Sequence, residues 1–360
     1  MPARLPPDLL DRSAQEASRL LALSLLSAID QARDRLDDPE NQDALHDFRV
    51  GIRRLRSAIK AYKRELAGSV GGKMRRRLRA LARATNDGRD VEVQLAWLGK
   101  QAQHLGPDEV PGFFWLVGRL EDRKQKTHDR AVADVARRYE KVSDKLRRAL
   151  GVLRIDLQTG QGQRLATFRE VTGVLAGKQV AELRDDLGRI QGPSDAVQAH
   201  RTRISFKRLR YLLEPIARRN RRAGALVRKF KEAQDLLGEH HDMHVLSGAV
   251  ASLRSGGMSS TFSGLDAGLA TIARRADEAA GSAFEKFQLA WGGEPGNRIL
   301  TRADELGRAL KAPPAIESRV ASQESHVTAP DQLPTRDLQL ETSDPRLGTG
   351  NSTVLVTRDS

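Results

Sequence analysis

Apolar residues recur along most of this chain at spacings of three and four, the period of a helix with one buried face. No sustained alternation of β-branched and polar positions interrupts them. The pattern predicts helices near 9–36, 40–67, 72–87, 89–104, 110–149, 161–190, 194–219, 222–238, 240–255 and 260–291. Pro39 suits the first turn of the helix that carries His46, and Ser194, after Pro193, is placed to cap the helix that carries His200. Glycines at 68, 71 and 72, Gly106-Pro107 and Pro111-Gly112 punctuate the first half. From about residue 295 the helical pattern fades. Ser, Thr, Pro, Asp and Gly dominate from Pro313 to Ser360, so 296–360 reads as a mostly disordered tail, too poor in apolar side chains to offset chain entropy.

Two of the helices share a template. HDFRVGIRRLR begins at His46 and HRTRISFKRLR at His200. Each has arginine three after the histidine (Arg49, Arg203) and a basic residue at plus seven (Arg53, Lys207). Arginines follow at plus eight (Arg54, Arg208) and plus ten (Arg56, Arg210). At roughly 100° per residue, His46, Arg49, Arg53, Arg56 and Lys60 fall on one stripe, and Phe48, Ile52, Leu55 and Ile59 on another beside it. The second helix repeats this with His200, Arg203, Lys207 and Arg210 against Phe206, Leu209 and Leu213; one turn later the copies diverge, Lys60 corresponding to Glu214. Like charges stacked at helical spacing repel, so the repetition points to a site for an anion. The duplication continues downstream at an offset of 152, where Asp90 falls on Asp242, Val93 on Val245 and Gly112 on Gly264. Further cations crowd the segment after the glycine break: Arg76, Arg79 and Arg83 share a face, and Arg228 occupies the matching place in the second half. Arg76, Arg83 and Arg228 are added to the candidate site.

Charge agrees with that reading. Lys and Arg number 61 against 47 Asp and Glu, a formal net charge of +14. Such a surplus suits nucleic acid, an acidic membrane or a phosphate polymer. The 360 residues contain no cysteine, which excludes disulfides, thiolate nucleophiles and cysteine-ligated metal centres. The run Leu20–Ile29 is too short to span a bilayer and is preceded by Asp8, Asp11 and Glu16, unlike the basic start of a signal peptide. A soluble, cytoplasmic protein without a cleaved leader is expected.

The paired H-x-x-R-x-x-x-[RK]-R-x-R motifs, each followed some forty residues on by an Asp-x-x-Val signature, resemble the CHAD (conserved histidine α-helical domain) family. The resemblance covers 9–295, with one repeat at about 9–150 and the other at about 160–295. It implies an all-α fold of two four-helix bundles related by a pseudo-twofold axis, with a basic cavity between them, and binding of inorganic polyphosphate, in some members at polyphosphate granules. Carried over residue by residue, His46, Arg49, Arg53, Arg54, Arg56 and Lys60 match the first motif; His200, Arg203, Lys207, Arg208, Arg210 and Tyr211 match the second. Arg89-Asp90 matches the family's Arg-Asp pair, which the second half replaces with His241-Asp242. No triphosphate-tunnel motif accompanies them, so hydrolysis is not implied, and no cofactor is expected.

Two other classes stay open on the residues alone. A phosphodiester backbone would suit the same basic face, although aromatics make up only 4% of the chain and no zinc-finger or RNP pattern is present. His240, His241, Asp242 and His244 invite a metal-dependent phosphohydrolase reading, because His240 and His244 are one turn apart. Their counterparts Gly88, Arg89, Asp90 and Glu92 are not a ligand set, and no Walker loop, nucleophile elbow or dinucleotide fingerprint is found. A scaffold recruiting other granule proteins is compatible with polyphosphate binding.

Overall fold

The computed structural model describes residues 5–38, 41, 43–85, 88–152, 164–255 and 263–312. Among them it is all-α, with ten α-helices and no strand. The first half contains α1 (Ala14–Asp34), α2 (Ala44–Ala61), α3 (Gly72–Ala84), α4 (Arg89–Gln101) and the long α5 (Val110–Gly151). The second contains α6 (Phe168–Gly188), α7 (Ala196–Ala217), α8 (Arg221–Ser255), α9 (Asp266–Trp291) and α10 (Gly293–Lys311). No described helix is long and apolar enough to cross a membrane.

Equivalent elements of the halves meet in pairs: α1 with α6, α2 with α7, α4 with α8 and α5 with α9. The larger core draws on both halves. Phe48 and Leu55 of α2, Phe206 and Leu209 of α7, Phe230 of α8, Trp291 of α9 and Leu306 of α10 all belong to it. A second core joins α4, the start of α5, the end of α8 and the start of α9, around Val91, Phe113, Met243 and Leu269.

Several sequence expectations are corrected. The two helices expected over 222–238 and 240–255 are the single helix α8. Gly238 does not end it. The arginine at 203 lies against this glycine, where a Cβ would stand 3.0 Å from Arg203 Nη2, so the residue serves packing. α8 takes the place of both α3 and α4: buried Val91, Gln94 and Leu98 correspond, at the 152 offset, to buried Met243, Leu246 and Val250.

The tail boundary at 296 is too early. α10 runs to Lys311 and buries Leu300, Ala303, Leu306 and Leu310 against the core, largely on α6. The Gly292-Gly293 break, with Gly293 at φ +56°, masks this continuation. In the first half the last turns of α5 have the same role against α1, where the Arg19 guanidinium donates to the Leu150 carbonyl and Asp30 accepts from Tyr139 and Ser143. Residues 313–360, the bulk of the expected disordered tail, lie outside the described residues.

Helix α7 is capped by Asp195, whose carboxylate accepts from the Gln198 amide, and not by Ser194. α2 begins at Ala44; the expected start at Pro39 lies outside the described residues. The repeat register also shifts along the chain. Gly112 of α5 and Gly268 of α9 cross at close approach, each excluding a Cβ on the other. Buried Phe113, Leu116 and Leu120 therefore correspond to Leu269, Ile272 and Ala276, one helical turn beyond the register expected from Gly264.

Candidate anion site

Burying the apolar stripes of α2 and α7 carries the adjacent basic stripes to the line where these helices meet. Two contacts cross it. Arg53 Nε donates to the Tyr211 hydroxyl at 3.0 Å. Arg54 Nε lies 2.9 Å from Glu214 Oε2, and Arg210 Nε lies 3.2 Å from the other oxygen of that carboxylate. The Arg210 guanidinium also stacks on the Tyr211 ring, 4.7 Å from its centroid.

Lys207 sits within electrostatic reach of cations from both halves. Burial comes first, followed by Arg203, Arg53 and Arg210, and together they push its ammonium down from the usual 10.5 to about 7, against the opposing pull of Asp242. A lysine at that value is half neutral near physiological pH. The arrangement therefore costs free energy that an incoming anion would recover.

Behind this ridge lie Arg49 and Arg203. Arg49 is buried, donates from Nη1 to Glu92 Oε1 at 2.8 Å, and lies with Nη2 beside Gly88. Its Nε and Nη2, and the Nε of Arg203, are buried without a hydrogen-bond partner among the described residues. Unsatisfied buried guanidinium nitrogens are costly and mark a place where acceptors belong.

The motif histidines flank these arginines. His46 is held below the usual imidazole range by burial and then by Arg89 and Arg53, with Asp47 and Glu92 opposing. His200 is lowered by burial and then by His241, Arg203 and Lys207, and its ring centroid lies 5.3 Å from that of His241. His241 is lowered in turn, by burial first and then by Arg203. Asp242 is raised, chiefly by burial, and feels Asp90 from α4 as well as Arg203, Arg89 and Lys207. The two aspartates that the repeat aligns are thus close enough to interact across the halves.

Further along the ridge, Lys60 is lowered by burial and then by Arg208, while Glu182 opposes and Arg79 and Arg56 add to the effect. Arg56 is lowered by burial and then by Arg79 and Arg83. Arg208 reaches Glu182 at 4.0 Å. Arg79, on the same α3 face as Arg76 and Arg83, is therefore a cluster member that the sequence reading passed over for its neighbours. The carboxylates of Glu92, Glu182 and Glu214 were also missed as parts of the site; only the Lys60–Glu214 divergence signalled one of them. No described interaction ties Arg76 or Arg228 to the cluster. Arg76 Nη1 lies near Gly72, and Arg228 Nη1 near Gly224, each on its own helix.

The histidine run on α8 is split. His240 is buried, and its Nδ1 meets the Ala280 carbonyl at 3.1 Å, while His241 turns toward His200. Among the described residues, no group of three or more His, Asp or Glu could hold a metal ion.

A family model described as CHAD domain matches residues 21–251 of the chain. The crystal structure of the CHAD domain from the plant Ricinus communis aligns with a TM-score of 0.57 at 21% identity, covering 86% of this chain and 96% of that one. PptA from Streptomyces chartreusis aligns with a TM-score of 0.61 at 14% identity, covering 78% of this chain and 99% of that one. At these identities the likeness carries the fold. No curated protein matches the chain by sequence.

Proposed function

The chain belongs to the CHAD domain family, and from that premise we propose that it binds inorganic polyphosphate along the line where α2 and α7 meet. The observation that carries this reading is the convergence of cations from both halves around the half-buried Lys207: burial first, and then Arg203, Arg53 and Arg210, lower its ammonium to about 7. A chain of phosphates would relieve that crowding.

The pairing of equivalent helices supports a pseudo-twofold arrangement in which the two basic ridges form one groove. Polyphosphate carries about one negative charge per unit on a flexible backbone, and guanidinium forks suit its paired oxygens. Arg53 and Arg56 would contact the chain directly, Lys60, Arg208, Arg79 and Arg83 would extend the track, and Arg54 and Arg210 would join it only by releasing Glu214. The unpartnered nitrogens of Arg49 and Arg203 would donate from beneath. His46, His200 and Arg89 would edge the site, and Arg76 and Arg228 would take only its outer reaches. Binding would release counterions, so affinity should fall steeply with salt.

The proposed function is binding without catalysis; the ridge offers hydrogen-bond donors and positive charge. Granules of polyphosphate in the cytoplasm, with the other proteins that coat them, are the proposed setting. Calorimetry with medium-chain polyphosphate tests the reading. Wild type should bind with strong salt dependence, and the pair Arg53→Glu with Lys207→Glu should abolish binding while circular dichroism shows the helices retained. Competition by single-stranded RNA at equal phosphate concentration would favour a nucleic-acid ligand instead.

A further inference from the structure

The two ridges are alike in sequence, yet their meeting points are not alike in charge. Arg54 and Arg208 are equivalent positions of the repeat, as are Lys60 and Glu214. If the halves carried the same residues, each arginine would face the same side chain of the opposite half. Instead, Arg54 faces Glu214 at 2.9 Å, and Arg208 faces Lys60 closely enough to depress the lysine. One crossing is an ion pair; at the other, two like charges lie within electrostatic reach.

Glu214 also engages Arg210 of its own helix at 3.2 Å, and its side chain is only 22% exposed. One carboxylate thus occupies two arginines of the anion track. At the other crossing, among the described residues, Arg208 pairs with Glu182 at 4.0 Å, and Lys60 and Arg56 feel the charges of Arg79, with Arg83 acting on Arg56 as well.

We infer that Glu214 is a specificity-determining residue of the site: a built-in carboxylate that fills the Arg54–Arg210 end in place of a phosphate, so that a polyphosphate chain binds from the Lys60–Arg208 end and is blocked at the other. The groove is thereby polar, with one receiving end and one closed end. The inference rests on the proposed binding of polyphosphate. The physical basis is competition. A phosphate reaching Arg54 and Arg210 must displace a carboxylate already paired with both, and like charge makes their joint occupancy unfavourable.

The test compares wild type, Glu214→Gln, Glu214→Lys, Lys60→Gln and Lys60→Glu by titration with medium-chain polyphosphate over a range of salt. Glu214→Gln should tighten binding roughly fivefold at ~0.1 M salt, the scale of one partly exposed ion pair. Its salt dependence should steepen, because more phosphates are neutralised. Glu214→Lys, which restores the repeat, should tighten binding further. Lys60→Gln should weaken binding, and Lys60→Glu, which plants the same block at the receiving end, should weaken it more. Thermal melts identify any variant that fails to fold, and the Lys60 pair leaves the Glu214 contacts in place. Unchanged or weaker binding by both folded Glu214 variants would overturn the inference while leaving polyphosphate binding intact. So would Lys60 variants that bind as wild type does. Absence of binding by wild type would instead remove the reading beneath it.

Discussion

Arg53 Nε donates to the Tyr211 hydroxyl at 3.0 Å, across 158 residues of sequence. The bond ties the second helix of one half to the second helix of the other, at the centre of the basic ridge. It also holds one edge of the Arg53 guanidinium in place. Tyr211→Phe removes the acceptor and should lower unfolding free energy by about 1 kcal/mol, the usual scale of one such bond. Urea denaturation of the ligand-free protein measures it.

Lys207 makes stability depend on pH in a stated direction. Its folded value of about 7 lies below the usual 10.5, so between them the unfolded chain holds a proton that the folded chain does not. Stability of the free protein should therefore fall as pH drops from about 10 to 7, and the lowered His46, His200 and His241 extend the loss below the imidazole range. Asp242, raised by burial, acts with the opposite sign in the carboxylate range. Polyphosphate should bind more tightly as pH falls from about 10 toward 7 and take up a proton in doing so, because the anion favours the charged ammonium. Urea midpoints across this range, and calorimetry in buffers of different ionisation enthalpy, give the two readings. Lys207→Met should flatten both between about pH 7 and 10 and leave the histidine contribution at lower pH.

Two glycines should respond to alanine in opposite ways. At Gly112 the new methyl would overlap the Leu265 carbonyl and the Gly268 backbone, neither of which can move alone. Gly112→Ala should cost about 3 kcal/mol in stability. At Gly238 the atoms nearest the methyl belong to the flexible end of Arg203, the first of them 3.0 Å away, within a continuous helix that gains from alanine. Gly238→Ala should keep or raise the melting temperature and weaken polyphosphate binding by displacing that guanidinium. Melting curves and one titration separate the cases.

The helical class and the paired basic faces were legible because they depend on local period. Phe48, Ile52, Leu55 and Ile59 are buried as their spacing predicts, and so are Phe206, Leu209 and Leu213. Local signals misled where a residue acts through a distant partner. The helices expected over 222–238 and 240–255 are one, and Arg203 lies on the Gly238 between them. The helical pattern reads as fading from about residue 295, although Leu300, Ala303, Leu306 and Leu310 keep helical spacing beyond it. The register of α9 slipped by one turn because its small residues align about equally well either way. Only the crossing of Gly112 with Gly268 distinguishes the two registers.

By itself the chain's amino-acid order determined that it would be helical and armed with twin rows of cations, since both properties are written in spacings of three, four and seven residues. Tertiary structure alone decided how those cations act. It lowered Lys207 toward neutrality, left Arg49 and Arg203 with unpartnered nitrogens, and set Glu214 against Arg54 while Lys60 faces Arg208. The reason is that desolvation and charge–charge energy depend on distances between groups about 150 residues apart, which the helix period does not encode.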